Sequence, residues 1–163
     1  MQARMTDLAA IAPDAYKAML NLEGYLRRSS VPDSTLELVR LRVSQINGCA
    51  FCVDMHARDA KKAGETDERL WTVATWREAP GFTDEERAAL ALAEAATRLA
   101  DNPAGVPDEV WNEAADHYDE ESLLALIMCV AAINAWNRIN VTTRQIAGSV
   151  TSASITEKRT FDG

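Results

Sequence analysis

Two cysteines and a histidine are spaced so that a helix would bring them together. Cys49, Cys52 and His56 all lie in one short stretch. At 100° per residue, a helix places the three within about 60° of one another on one face. Cα atoms three residues apart on a helix are separated by roughly 5 to 6 Å, which is within the range of disulfides. The spacing therefore allows a reversible disulfide within one helix.

The histidine favours Cys52 over Cys49 as its partner. Side chains on a helix lean toward the N-terminus, so the imidazole of His56 reaches back to Cys52 but hardly to Cys49. An ordinary thiol, with a pKa of about 8.5, is mostly protonated at neutral pH, and a histidine or a helix N-terminus lowers that pKa. If Gly48 ends the preceding helix, both cysteines lie in the first turn. Cys52 is then the thiol that His56 would activate.

An upstream carboxylate could complete a proton relay. Glu37 lies 11 residues before Gly48 and His56 lies 8 after it, or about 16 and 12 Å along two helices. If these helices fold back on each other, the two side chains meet and the carboxylate orients the imidazole. Glu37 also holds the acid position of a capping-box pattern that starts at Ser34, which gives it a structural alternative.

The remaining pattern predicts an all-α fold. Apolar residues recur at spacings of three and four, and no run alternates with a period of two. Leu123–Ile133 is apolar almost all round, which predicts a core helix enclosed by its neighbours or by another subunit. Thr83-Asp84-Glu85-Glu86 is a second capping-box pattern. The predicted helices cover about 13–28, 34–46, 49–62, 67–77, 84–100, 107–117 and 120–140.

Composition limits the classes of protein to consider. The 163 residues fit one domain, which we place at 1–147, followed by a polar C-terminal tail or arm at 148–163. The net charge of −8 argues against nucleic acid or an acidic membrane surface as a partner. The first residues do not form a secretory signal, so we expect a cytoplasmic protein. Three cysteines are too few for a disulfide scaffold.

The stretch from Glu37 to His56 resembles the AhpD-like alkylhydroperoxidase branch of the carboxymuconolactone decarboxylase superfamily. The family's glutamate, its Asn-Gly-Cys-x-x-Cys at 47–52 and its trailing histidine are all in register. The segment 133–138, Ile-Asn-Ala-Trp-Asn-Arg, is similar to the family's C-terminal helix. The resemblance covers roughly 12–146.

This resemblance implies an all-helical AhpD-like fold, with the cysteine pair at a helix N-terminus, that assembles as a trimer or hexamer. It implies a thiol peroxidase for organic hydroperoxides or hydrogen peroxide, with no metal or other cofactor and an unidentified dithiol or protein reductant. Cys52 would attack the peroxide and Cys49 would close the disulfide, while His56 and Glu37 relay protons. One departure is Phe51, which stands where better-studied AhpD members have a second histidine.

Other interpretations of the same residues remain open. The cysteines could be buried small hydrophobes, or part of a non-catalytic redox sensor. They could also bind zinc with His56 in an oligomeric module, although the candidates for a fourth ligand, His117 and Cys129, lack zinc-like spacing. Lactone decarboxylation is less favoured, because that branch does not rely on a Cys-x-x-Cys pair. His117 is assigned no role, and Cys129 is interpreted as core.

Overall fold

A computed structural model of the protein describes residues 2–149 and contains helices but no strands in that range. The all-α prediction is confirmed. The described elements are α1 (Leu8–Ile11), α2 (Pro13–Leu26), α3 (Asp33–Ile46), α4 (Ala50–Lys62), α5 (Asp67–Thr72) with a following 3-10 turn (Val73–Thr75), α6 (Asp84–Thr97), α7 (Asp108–His117) and α8 (Glu120–Thr143).

Several helix ends differ from those predicted by the apolar pattern. The short helix α1, capped by the side chain of Asp7, was not predicted. The helix predicted at 67–77 stops at Thr72 and continues as 3-10. Helix α8 runs three residues beyond the predicted end at 140, to Thr143, where Arg144 adopts a left-handed conformation. Helix ends depend on such local caps, which apolar periodicity does not encode.

One of the two predicted capping boxes is present. Thr83 caps α6, and its box with Glu86 has both hydrogen bonds. The box predicted at Ser34 is wrong, because α3 begins at Asp33 with Pro32 as its N-cap and no side-chain capping bond. Ser34 consequently lies inside the first turn of the helix, and the side chain of Glu37 has other partners. The structural alternative for Glu37 is thereby removed.

Helix α8 is the central element of the bundle. It packs against α2, α3, α4, α6 and α7, and side chains such as Ile133 and Asn137 are buried. By length and composition α8 could also cross a membrane, yet half of its apolar window is buried within the chain, as in the core helix of a soluble fold. The single chain does not enclose it completely, since Leu124 is 53% exposed.

The turn between α3 and α4 makes these helices a hairpin. Gly48 has φ of 67°, a left-handed conformation that glycine adopts without steric cost. The side-chain amide of Asn47 donates to the side-chain oxygens of Asn134 and Asn137, at 3.0 and 2.8 Å. Because both acceptors belong to α8, the turn is fixed to the central helix.

The predicted boundary between domain and tail falls at the edge of the described residues. The backbone N–H of Gly148 donates to Asp54 Oδ2 at 2.9 Å. Residues 150–163, most of the predicted tail, lie outside the described part of the chain. The tail therefore stays a prediction.

A buried carboxylate connects α3 and α6 on another side of the bundle. Glu94, whose side chain is 5% exposed, accepts from Arg42 Nε at 2.6 Å, from Trp76 Nε1 at 3.0 Å and from Arg77. Burial acts to raise the pKa of Glu94, but the hydrogen bonds from Arg77, Trp76 and Arg42 lower it to about 2. Glu94 is therefore ionised over the physiological range.

Glu94→Gln should remove a pH-dependent part of the stability. The folded pKa of about 2 lies below the ordinary 4.5, so the stabilisation is present above pH 4.5 and lost as the pH falls toward 2. We expect the variant to lose about 2 to 3 kcal/mol of unfolding free energy at neutral pH, with a flatter decline in acid. Urea unfolding at a series of pH values measures both. The exposed control Glu78→Gln should follow wild type, and a Glu94→Gln profile parallel to wild type would contradict the assignment.

Candidate active site

The cysteine pair lies at the N-terminus of α4, as predicted. Cys49 is the N-cap residue and Cys52 lies in the first turn; the prediction that Cys49 is itself within that turn is off by one residue. A disulfide joins them, with Cα atoms 5.3 Å apart. Cys49 is 1% exposed and Cys52 0%. The Cys49 sulfur accepts the backbone N–H of Cys52 at 3.3 Å, so it also caps the helix.

Folding of the α3–α4 hairpin brings Glu37 against His56. Glu37 Oε2 lies 2.8 Å from His56 Nδ1, so the predicted proximity of these residues is confirmed. Burial acts to raise the pKa of Glu37, but the hydrogen bond from His56 and the charge of Arg40 outweigh it and hold the pKa below its ordinary value. An ionised carboxylate only accepts hydrogen bonds, so Nδ1 donates and neutral His56 carries its free lone pair on Nε2.

The second Glu37 oxygen has its own partner. Arg40 Nη1 donates to Glu37 Oε1 at 2.7 Å, and Arg40 Nη2 donates to Glu23 Oε2 at 2.9 Å. Trp136 Nε1 donates to the other oxygen of Glu23 at 3.1 Å. Burial opposes the charge on Arg40, yet the adjacent carboxylates raise its pKa above the ordinary value. The network ties α2, α3 and α8 to His56.

A side chain from α8 contacts the Cys52 sulfur. Asn140, in the last turn of α8, has its Nδ2 3.4 Å from Cys52 Sγ. In the described part of the chain, His56 has a hydrogen bond to Glu37 and none to either cysteine sulfur. A direct His56–Cys52 contact therefore stays a prediction, whereas the contact from Asn140 is present.

Four residues around this site are not identified by the sequence patterns above. Arg40 follows Glu37 by three residues, and that helical spacing is a signal by which it could have been found. Glu23, Trp136 and Asn140 offer no such signal. Glu23 lies 17 residues from Arg40 and 113 from Trp136 in the chain, and Asn140 lies 88 from Cys52.

The remaining candidate residues lie in ordinary structural settings. Cys129 is a free thiol that is fully buried in the main core, as predicted, and burial raises its pKa to about 12. His117 ends α7 and lies 3.6 Å from Glu113. Within residues 2–149, no group of three or more His, Cys, Asp or Glu side chains is arranged to hold a metal ion.

Known proteins match this chain over most of its length. Residues 13–95 fit the model of the carboxymuconolactone decarboxylase family. The chain belongs to this family. It is 44% identical over 131 residues to the uncharacterized protein YdfG of Bacillus subtilis, a match that covers 80% of this chain and 88% of YdfG.

Solved structures share the fold. A protein of unknown function from Agrobacterium tumefaciens, suggested to be the antioxidant defence protein AhpD, has a TM-score of 0.85 and 34% identity, and the match covers 91% of this chain and all of that one. The debrominase Bmp8 has a TM-score of 0.75 and 21% identity, covering 86% and 74%. The similarity to Bmp8 concerns the fold alone. These matches place the chain in the AhpD-like branch and indicate an enzyme of some kind.

Arg40→Met should destabilise the protein strongly. It would leave the carboxylates of Glu23 and Glu37, 14% and 16% exposed, without their shared cation. Removing one partner of a buried ion pair typically costs about 3 to 5 kcal/mol, and we expect that loss in urea unfolding at neutral pH. The matched control is Arg58→Met, at a surface pair in which the arginine is 58% exposed. This control should lower the free energy of unfolding by less than about 1 kcal/mol. Equal losses of unfolding free energy in the two variants would contradict the prediction that the buried ion pairs of Arg40 stabilise the protein more than the surface pair does.

Proposed function

We propose that the protein is a thiol-dependent peroxidase that reduces organic hydroperoxides or hydrogen peroxide by cycling Cys49 and Cys52 between dithiol and disulfide. The observation that carries the proposal is the Cys49–Cys52 disulfide at the start of α4, on the helix that also presents His56 to Glu37. Membership of the family and the similarity to a suggested AhpD protein support it.

In the first half-reaction, Cys52 is the attacking thiol. Its proton passes to His56 Nε2, and the thiolate sulfur attacks the terminal oxygen of the hydroperoxide. An S–O bond forms and the O–O bond breaks. The leaving alkoxide takes the proton from His56, which yields an alcohol, or water from hydrogen peroxide, and leaves Cys52 as a sulfenic acid.

In the second half-reaction, Cys49 resolves the sulfenic acid. The Cys49 sulfur attacks the Cys52 sulfur, the S–S bond forms, and the hydroxyl leaves as water with the Cys49 proton. The Cα separation of 5.3 Å allows this closure with little movement of the backbone. An external dithiol or protein reductant then supplies two electrons and two protons and is itself oxidised to a disulfide.

Glu37 and Arg40 act on this chemistry through His56. A base must present the correct nitrogen, and the bond from Nδ1 to Glu37 leaves Nε2 for the thiol. Arg40 holds the carboxylate ionised and oriented by occupying its other oxygen. In this proposal Glu37 and Arg40 are positioning residues, and His56 exchanges the proton.

We also propose that the protein works as a homo-oligomer, a trimer or hexamer, in the cytoplasm. Leu124 and Ala131 are exposed on α8 and, seven residues apart, lie on one side of that helix, which suits a contact between subunits. A reducing cytoplasm contains the dithiols that the cycle requires.

Replacing the cysteines one at a time tests the cycle. We expect wild type to consume cumene hydroperoxide in the presence of dithiothreitol, and Cys52→Ser to fall to background. When dithiothreitol is removed before the peroxide is added, Cys49→Ser should retain one attack and accumulate a Cys52 sulfenic acid, because neither Cys49 nor an external thiol is left to resolve it. Dimedone labelling followed by mass spectrometry of the Cys52 peptide detects that intermediate.

Cys129→Ala is the matched control for these variants. Its thiol is buried and outside the proposed cycle, so turnover should stay at the wild-type level. Full activity in Cys52→Ser would eliminate the mechanism. Reversible disulfide formation without turnover under any reductant or hydroperoxide would instead favour a redox sensor.

Glu37→Gln tests the role of the carboxylate. Glutamine keeps the shape but offers no charge, so it no longer dictates which imidazole nitrogen holds the proton. We expect peroxide reduction at neutral pH to slow by about 10- to 100-fold, within the range by which a positioned acid or base accelerates reactions. Stopped-flow oxidation of the reduced protein measures the rate, and circular dichroism verifies folding. An unchanged rate would remove Glu37 from the relay.

A further inference from the structure

The amide of Asn140 is held in a fixed position beside the cysteine pair. Asn140 is 7% exposed and lies in the last turn of α8. Its backbone carbonyl accepts the N–H of Gln145 at 2.9 Å, where the left-handed Arg144 closes the helix. The side-chain Nδ2 lies 3.4 Å from Cys52 Sγ. Helix packing, rather than local sequence, therefore aims this donor at the sulfur.

The two sulfurs of the pair have different hydrogen-bond donors. Cys49 Sγ accepts a backbone N–H, that of Cys52. Cys52 Sγ accepts from a side chain, that of Asn140. The charged groups nearby are already engaged, since Arg40 bridges two glutamates. Among residues 2–149, Asn140 is thus the side chain that hydrogen-bonds to the sulfur proposed to attack.

We propose that Asn140 is a catalytic residue that donates a hydrogen bond to the Cys52 thiolate and holds it ready to attack the peroxide. The proposal rests on the proposed function for the identity of the attacking sulfur. In the reduced protein, the same N–H meets an anion, which accepts a stronger hydrogen bond than a neutral sulfur does.

The burial of Cys52 makes the hydrogen bond from Asn140 important for the stability of the thiolate. Cys52 is 0% exposed, so its thiolate would have little water to solvate it. A buried anion without a donor is strongly disfavoured against its neutral form, and a hydrogen bond to the anion shifts the balance back. The amide also adds no charge, so it stabilises the thiolate without pairing it with a cation. Asn140 would thus raise the fraction of reactive thiolate while leaving the sulfur free to attack.

The test measures thiolate formation independently of peroxide turnover. In a Cys49→Ser background, serine preserves the N-cap of α4 and Cys52 cannot form the internal disulfide. The reduced protein is treated with iodoacetamide across a range of pH, and alkylation of the Cys52 peptide is followed by mass spectrometry. The pH at which the alkylation rate inflects reports the ionisation of the Cys52 thiol. The Cys49→Ser protein is then compared with two further variants made in it. Asn140→Leu keeps a similar shape without the donor, and Asn140→Asp places an acceptor there.

We expect the inflection to rise by roughly one pH unit in Asn140→Leu, which is about a tenfold loss of thiolate below the inflection. It should rise at least as far in Asn140→Asp. The rate of oxidation by cumene hydroperoxide at neutral pH should fall by a similar factor. The matched control is Thr143→Val, a shape-conserving loss of a largely buried polar group in the last turn of the same helix, at a hydroxyl that bonds the Ile139 carbonyl and Gln145 rather than sulfur. It should leave the inflection in place.

The outcomes separate this proposal from the proposed function. If both Asn140 variants are folded by circular dichroism and keep the wild-type inflection, or if Thr143→Val shifts it equally, the role of Asn140 is refuted. If Asn140→Leu does not fold, the isosteric Asn140→Asp decides alone. Wild-type protein that consumes no peroxide would refute the peroxidase function, while the alkylation comparison would still decide whether Asn140 stabilises the thiolate.

Discussion

Glu37 carries a negative charge inside the bundle, and the rest of the site depends on how that charge is compensated. Each carboxylate oxygen has its own donor, His56 on one side and Arg40 on the other. Arg40 also pairs with Glu23. Its two terminal nitrogens therefore each donate to a carboxylate, one of Glu37 and one of Glu23. Removing Arg40 leaves two buried carboxylates without the cation that they share. The orientation of His56 and the stability of the bundle therefore depend on the same contacts.

This compensation requires α2, α3, α4 and α8 to be fixed relative to one another. The left-handed Gly48 reverses the chain so that α4 returns along α3. Polar residues of α8 then hold the hairpin at several points along one side: Asn134 and Asn137 contact Asn47, and Asn140 contacts Cys52. Their spacing of three residues follows one helix face. The central helix thus supplies both apolar core and polar support for the site.

The surroundings of the cysteine pair combine an apolar side with a polar one. Phe51, between the cysteines, is 8% exposed and belongs to the main core cluster. It fills the position where better-studied AhpD members have a second histidine. In this chain the side chain that donates a hydrogen bond to the Cys52 sulfur is Asn140, on α8. The site therefore combines the imidazole of His56, on α4, with the neutral amide of Asn140, on α8.

The sequence by itself determined the helical fold class and most of the helices, the separation of the two cysteines and the meeting of Glu37 with His56. These follow from the fixed rise and rotation of a helix, and the Glu37–His56 pair also needed only a reversal at Gly48. It did not determine the role of Ser34, where a capping pattern failed because Pro32 started the helix one residue earlier. A capping pattern in a few residues does not form when an adjacent residue starts the helix at another position.

Only the tertiary structure decided which groups from distant helices reach the site. Asn140 lies 88 residues from Cys52, and Trp136 lies 113 from Glu23. Periodicity identifies which face of a helix is apolar, but not how far that helix slides or rotates against its neighbours. That register is set by the packing of all the helices together, and a shift of one turn, about 5.4 Å, would break every one of these hydrogen bonds.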